Sequence, residues 1–173
     1  MAATMRAVSR HGVASLTLAH VAEEAGLAPS TLAERYGSKR ALLLAAARSA
    51  AQLPAASPPA ATAASPRAAA VGPAPSPRAA AVDYLVSLAR HVGDRRAFAH
   101  HLAFLALDVA DPEFREAAAG HVAAVLARLE SFGLPAREAR ALYVAYNGAL
   151  VLWALSGEGS LEDALRADLR IEP

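Results

Sequence analysis

TLAHVAEEAGLAPSTLAERY, residues 17–36, is the stretch on which the reading of the fold turns. It reads as two short helices hinged at Gly26. Thr17 is placed to cap the first helix, and Leu18, Val21, Ala22 and Ala25 recur at the spacing of one buried face. Gly26 supplies the left-handed backbone that ends a helix, and Ala22 is small where two helices must cross closely. Leu27 is expected to pack into the corner. Pro29 suits the first turn of the second helix, whose inner face is Leu32 and Tyr36. Ala28, Ser30, Thr31, Ala33, Glu34 and Arg35 are left outside. Apolar and small residues thus fix the angle of a helix that presents short polar side chains, which is the geometry of a major-groove reader. An ordinary helical hairpin shares the apolar pattern, so the surrounding sequence has to separate the two.

Charge is unevenly spread around this stretch. Residues 1–53 hold six Arg and Lys against three Glu, a net +3, while residues 97–173 hold six Arg against eleven carboxylates, a net −5. A mildly basic head therefore precedes an acidic body, which favours an anionic partner for the head. The 173 residues suffice for one or two domains. With no cysteine, disulfides and thiolate metal sites are excluded, and the six histidines are scattered. His100 and His101 are adjacent and point apart on a helix, so they are poor joint ligands, and neither a metal nor a cofactor is expected. The N-terminus lacks the apolar core of a signal peptide, and the longest apolar stretch, Ala141 to Leu155, is short for a bilayer. A cytoplasmic protein without membrane contact is expected.

Alanine dominates, Lys39 is the single lysine, and no run of alternating β-branched residues occurs, so the chain reads as all-α. Seven prolines from Pro54 to Pro77 preclude a continuous helix there and mark an Ala/Pro-rich linker, with room for a helical turn at Arg67 to Val71. Helical patterns follow at Arg78 to Val92, Arg95 to Val109, Pro112 to Phe132, Pro135 to Leu155 and Leu161 to Leu169. Asp94 and Asp111 are placed as caps, Gly133 as a helix end, and Ser160 with Asp163 as a capping box. The organisation read from these breaks is a head and the start of a connecting helix over 1–47, the end of that helix and the linker over 48–77, and a helical effector-binding and dimerisation domain over 78–173.

Immediately after the helix pair comes Tyr36-Gly-Ser-Lys-Arg-Ala-Leu-Leu43. With Gly12, Thr17, Val21-Ala22, Ala25-Gly26-Leu27 and Thr31-Leu32 it resembles the head of the TetR family of transcriptional regulators, in order and spacing over some thirty residues. The resemblance implies a three-helix head with a helix-turn-helix, in which the helix after Ala28 enters the major groove of an operator. It also implies that the helix begun at Ser38-Lys39 links head to body and that Lys39 approaches a phosphate. Thr17, Ala28, Ser30, Thr31, Arg35, Tyr36 and Lys39 are the DNA-binding candidates on this footing. The sequence departs from the family at two places. Ala33 stands where a backbone-contacting tyrosine is common, and Glu34 puts a negative charge on the outer side of the reading helix, where DNA repels it unless it accepts from a cytosine amino group or pairs with Arg35. Met1 falls inside what would be the first helix, without the basic arm that often precedes it, and the body is one helix short of the usual count.

Leu142 to Leu155 is apolar around nearly its whole circumference, so it needs burial on all sides. Pairing it and the Pro112 to Phe132 helix with their symmetry mates in a four-helix interface, as the resemblance to TetR-like proteins implies, satisfies that need, and Gly148 permits close approach; a monomer with this helix at its centre is the alternative. Val122, Val125, Leu129, Tyr146, Leu150 and Trp153 are the residues read as a dimer interface. Tyr84, Leu88, His91, Phe98, His101, Phe104 and Leu105 mix apolar bulk with a few polar tips and are read as an effector pocket, or equally as plain core. No nucleophile stands with a base and an orienting acid, so no enzyme is expected. The resulting expectation is a homodimeric repressor released from its operator by a small, largely apolar effector. The alternative is a TetR-like helical interaction protein with weak or lost DNA binding.

Overall fold

The computed structural model describes residues 2–51, 76–90 and 92–170, and these form nine α-helices and no strand. They are α1 (Ala2–Ser15), α2 (Leu18–Ala25), α3 (Pro29–Tyr36), α4 (Lys39–Ala51), α5 (Pro77–Ala89), α6 (Arg95–Ala110), α7 (Pro112–Ser131), α8 (Ala136–Ser156) and α9 (Leu161–Arg170). The proline-rich stretch with the turn expected at Arg67 to Val71, and the pocket candidate His91, lie outside the described residues. Among the described residues no helix is long and apolar enough to cross a membrane.

The helix ends follow local chemistry. Asp94 accepts from the Ala97 N–H at 2.8 Å and opens α6, and Ser76 accepts from the Ala79 N–H and opens α5 ahead of Pro77. Asp111 accepts from the Glu113 N–H at the start of α7. The Ser160 hydroxyl accepts from the Asp163 N–H and donates to the Asp163 carboxylate at 2.6 Å, a variant of the expected capping box.

The chain divides into two compact units, which cut across the division read from the linker. The first joins the four N-terminal helices to residues 92–124, so α6 and the start of α7 pack with the head. Its core is Ala7, Val8, Leu16, Val21, Ala22, Leu32, Leu42, Leu43, Leu44, Phe104 and Phe114. The α1–α6 contact depends on a break inside α1. Gly12 has φ 71 and ψ 158, a region essentially closed to other residues. Nearby, the Ser9 carbonyl oxygen lies 2.7 Å from His100 Nδ1. A carbonyl can only accept, so Nδ1 carries the proton. The same ring fills the space over the glycine, since a Cβ at Gly12 would stand 3.0 Å from His100 Cδ2. On α2, His20 stacks on His11 with ring centroids 4.1 Å apart.

Farther along α6, Asp108 is half-buried and its Oδ1 has no hydrogen-bond partner. Desolvation raises this carboxyl to about 6. Asp111 shows the opposite case. It receives Arg40 Nη2 at 2.7 Å, which holds its carboxyl below the usual range.

The second unit contains α5, the remainder of α7, α8 and α9. Leu85, Leu129, Leu165 and Leu169 are almost fully buried in it, and Tyr84 packs on Phe132 with centroids 5.9 Å apart. Arg166 pairs with Asp83 on α5 at 2.7 Å and with Glu162. Arg78 reaches Glu138 at 3.2 Å and the Leu169 carbonyl. Arg78, Asp83, Arg166 and Leu169 line a cleft of about 200 Å³. Val125, Leu129, Tyr146, Leu150 and Trp153, expected at a dimer interface, are buried within the protomer, each under 7% exposed. Val125 and Leu129 on α7, and Tyr146, Leu150 and Trp153 on α8, thus serve the packing of the protomer itself, which leaves a different set facing out on α8. Val122, the sixth candidate, is exposed and belongs to the first unit.

Two outcomes follow for the first unit. Gly12→Ala should lower the free energy of urea unfolding by roughly 2–3 kcal/mol, combining a forbidden backbone with a clash on His100. Asp108→Asn should raise the melting temperature at pH 8 and leave it unchanged at pH 4. A folded-state pKa above the unfolded value penalises the charged form, and that penalty disappears as pH falls through about 6 towards 4.

Candidate nucleic-acid interface

The turn of the helix pair is built as its chemistry dictates. Thr17, with extended φ −125 and ψ 163, accepts from the His20 N–H and caps α2. Gly26 adopts φ 64 and ψ 34, and the following Leu27 N–H returns to the Ala22 carbonyl at 2.9 Å, closing the helix end. Val21 and Ala22 are buried on the inner face, and Ala22 is fully inaccessible. Two expectations fail at this corner. Ala25 is exposed because α2 ends there, beyond its crossing with the other helices, and Leu27 is 47% exposed because the left-handed turn aims it outward.

The second helix, α3, starts from Ala28 with φ −70 and ψ 141 and no side-chain cap, with Pro29 in its first turn. Its N-terminal N–H groups therefore lack a side-chain acceptor from the capping residue. Leu32 is buried, and Tyr36 packs partly buried against the core of the first unit. Ser30, Thr31, Ala33, Glu34 and Arg35 are all exposed, as are Thr17 and Ala28. The Arg35 guanidinium lies 5.5 Å from the centroid of the Tyr36 ring. Gly37 ends α3 at φ 69, and the Ser38 hydroxyl accepts from the Ala41 N–H to start α4.

The basic excess of this head is mostly engaged internally. Glu24 on α2 receives both Arg6 and Arg10 from α1, with Arg6 also donating to the Glu24 carbonyl at 3.0 Å. Arg40 is held by Asp111 and Glu113, each at 2.7 Å, and Arg48 reaches Glu113 at 3.4 Å. Among the described residues of the head, Arg35 is the arginine without a carboxylate partner. Glu34 beside it makes no ion pair among the described residues.

Lys39, expected at a phosphate, is half-buried and donates to the Val13 and Ala14 carbonyls, both at 3.2 Å. These are among the last carbonyls of α1, which have no partner within their own helix and attract a cation. Two of the three ammonium donors are thereby used, and the lysine ties the start of α4 to the end of α1. Neither this tie nor the Glu24 clamp has a sequence signal, since each joins residues fourteen to twenty-six positions apart.

The effector candidates are not gathered into one lining. Tyr84 is buried and Leu88 half-buried in the second unit. In the first unit Phe104 belongs to the core, edge-on to Phe114 at 6.0 Å. Phe98 is buried with His101 stacked beside it, while His101 and Leu105 are exposed.

A short helix capped by Thr17, a left-handed glycine turn and a second helix with an exposed polar face together define a helix-turn-helix DNA-binding head. Residues 1–46 match the family model of the bacterial regulatory proteins of the tetR family. The head, over residues 1–46, is thus similar to the DNA-binding heads of those regulators. The chain is also similar to the solved multidrug binding protein EbrR complexed with proflavin. That likeness covers 97% of this chain and 94% of that one, at 24% identity and a TM-score of 0.54, and it is a likeness of fold. No curated protein matches the chain.

Arg35 and Lys39 should separate in experiment. Arg35→Ala should leave urea stability unchanged and reduce the slope of log affinity for DNA against log salt by about one. Lys39→Met should lower stability by about 1–2 kcal/mol, because two carbonyls lose a charged donor.

Proposed function

We propose that this chain is a homodimeric repressor whose two heads place α3 in the major grooves of paired operator half-sites, and which a small, largely apolar effector releases. The observation that carries this reading is the exposed face of α3, where Ser30, Thr31 and Arg35 stand beside an uncapped helix start. In this reading Thr31 meets a base edge or thymine methyl, Ser30 a base or phosphate, and Arg35 the backbone. Ala28 and Thr17 permit close approach of the chain to DNA. Tyr36 braces the reading helix, and the remaining N–H of Lys39 points the phosphate role at an ammonium already fixed in place.

Release follows if the effector binds better to a form whose head spacing no longer matches the half-sites. A small organic ligand suits this reading, as proflavin is bound in EbrR.

A second reading, an interaction protein with weak DNA affinity, is favoured by the exposed carboxylate of Glu34 and by the ion pairing of the other head arginines. A mobility shift with DNA from upstream of the chain's own gene separates the two. Salt-sensitive, sequence-specific retardation supports the repressor, and its absence at low salt rejects it. In the same assay Glu34→Gln should tighten binding by roughly threefold to tenfold at low salt, since one repulsive charge is removed from the phosphate field.

A further inference from the structure

Leu32 and Tyr36, which hold α3 against the core of the first unit, stand two residues to either side of Glu34. On a helix each is therefore roughly 160° from it around the axis, and Glu34 is the crown of the exposed face. Ser30 and Thr31 lie on its own side, roughly 40° and 60° away, while Ala33 and Arg35 point to the two flanks, roughly 100° away. All five are exposed. The Arg35 guanidinium lies against the Tyr36 ring, 5.5 Å from its centroid. Thr31 and Ser30, three and four residues before Glu34, are uncharged, so α3 offers the carboxylate no cation at the spacing where one reaches it. Among the described residues no ion pair or hydrogen bond engages it.

A helix with its side chains is about 10–12 Å across, and the major groove is about 12 Å wide and 8.5 Å deep. A helix seated there sets its flanks beside the phosphate walls and its crown at the base edges. At the groove floor a carboxylate loses water and needs a hydrogen-bond donor in return. Guanine presents two acceptors there, and thymine an acceptor and a methyl group. Adenine presents an amino donor with the N7 acceptor beside it, which repels a carboxylate. Cytosine presents its N4 amino donor with no acceptor of its own alongside. Resting on the repressor reading above, in which α3 enters the major groove, we infer that Glu34 reads a cytosine in each operator half-site by accepting from its N4 amino group.

The charge that weakens attraction to phosphate at every sequence is then the charge that rejects guanine and thymine at one position. Affinity is lost everywhere and selectivity gained at that base pair. Ser30 and Thr31 remain for the base pairs beside it.

The test selects duplexes from a pool with a randomised core at low salt, using the full-length parent, Glu34→Ala and Glu34→Gln, and sequences the bound fraction. Glu34 is exposed, so both variants should melt as the parent does. The parent should enrich cytosine at one position of each half-site, and Glu34→Ala should lose that preference while the other positions keep theirs. Glu34→Gln retains an acceptor and adds a donor, so adenine should join cytosine there. N4-methylcytosine at that position, with a methyl group in place of the amino hydrogen facing the groove, should weaken the parent by roughly fivefold to a hundredfold, the range of one mismatched pair. The same change should leave Glu34→Ala nearly unaffected. Variants that keep every base preference of the parent, a preference at the altered position for another base in the parent, or N4-methylation that weakens Glu34→Ala as much as the parent each overturn the role of Glu34 while the repressor reading stands. A parent that enriches no sequence overturns both.

Discussion

The first unit is organised by the break in α1 at Gly12. A straight helix there would keep its carbonyls to itself and present a smooth side to its neighbours. With φ at 71 the helix opens, and the His100 ring enters both to fill the gap and to donate to the Ser9 carbonyl. A buried carbonyl left alone costs about 1–3 kcal/mol, so the donor and the kink require each other. One turn beyond His100, Phe104 reaches the core that Val8, Val21 and Leu32 share. The platform on which the reading helix rests is therefore completed by Phe104 on α6, sixty-eight residues after Tyr36 ends α3.

Charge is used in a similar way. Glu24 draws Arg6 and Arg10 together and fastens α2 to α1, Lys39 fastens α4 to the end of α1, and Arg40 fastens α4 to Asp111 and Glu113 while lying 5.7 Å from the Phe114 ring centroid. Exposed pairs contribute little singly, with a median of about 0–1 kcal/mol. Their placement matters more here: each joins two helices that the apolar core alone would leave free to slide. The net +3 counted along the first fifty-three residues is thus not a free +3 at the surface.

Local chemistry was legible in the sequence and long-range partnership was not. Thr17, Gly26, Asp94 and the Ser160–Asp163 pair act within a few residues of themselves, so their types and spacing suffice to place helix ends. The exposed set on α3 was legible for the same reason, being fixed by Leu32 and Tyr36 on the opposite side. Lys39 is a cation at a helix start whichever group it meets, and only the folded chain brings the Val13 and Ala14 carbonyls to it. Ala25 and Leu27 were misread because helical periodicity gives direction around an axis but not where a neighbouring helix stops. In α8 periodicity failed outright, since a helix apolar on every side has no pattern from which to tell its inner face from its outer one.

The two faces of α8 differ in kind nonetheless. Inward lie Leu142, Tyr146, Leu150 and Trp153, with burial pushing the Tyr146 phenol upward in pKa and the Trp153 indole N–H donating to the Gly159 carbonyl at 3.3 Å. That side is bulky and sets the protomer's own packing. Outward lie alanine, valine, leucine and a glycine. The polar side chain at their margin, Asn147, turns back to donate to the Tyr143 carbonyl at 2.8 Å within the same helix. A solvated helix face ordinarily carries long charged side chains, which keep apolar patches apart. This one carries none between Arg140 and Glu158, and its one amide is already turned inward on the backbone.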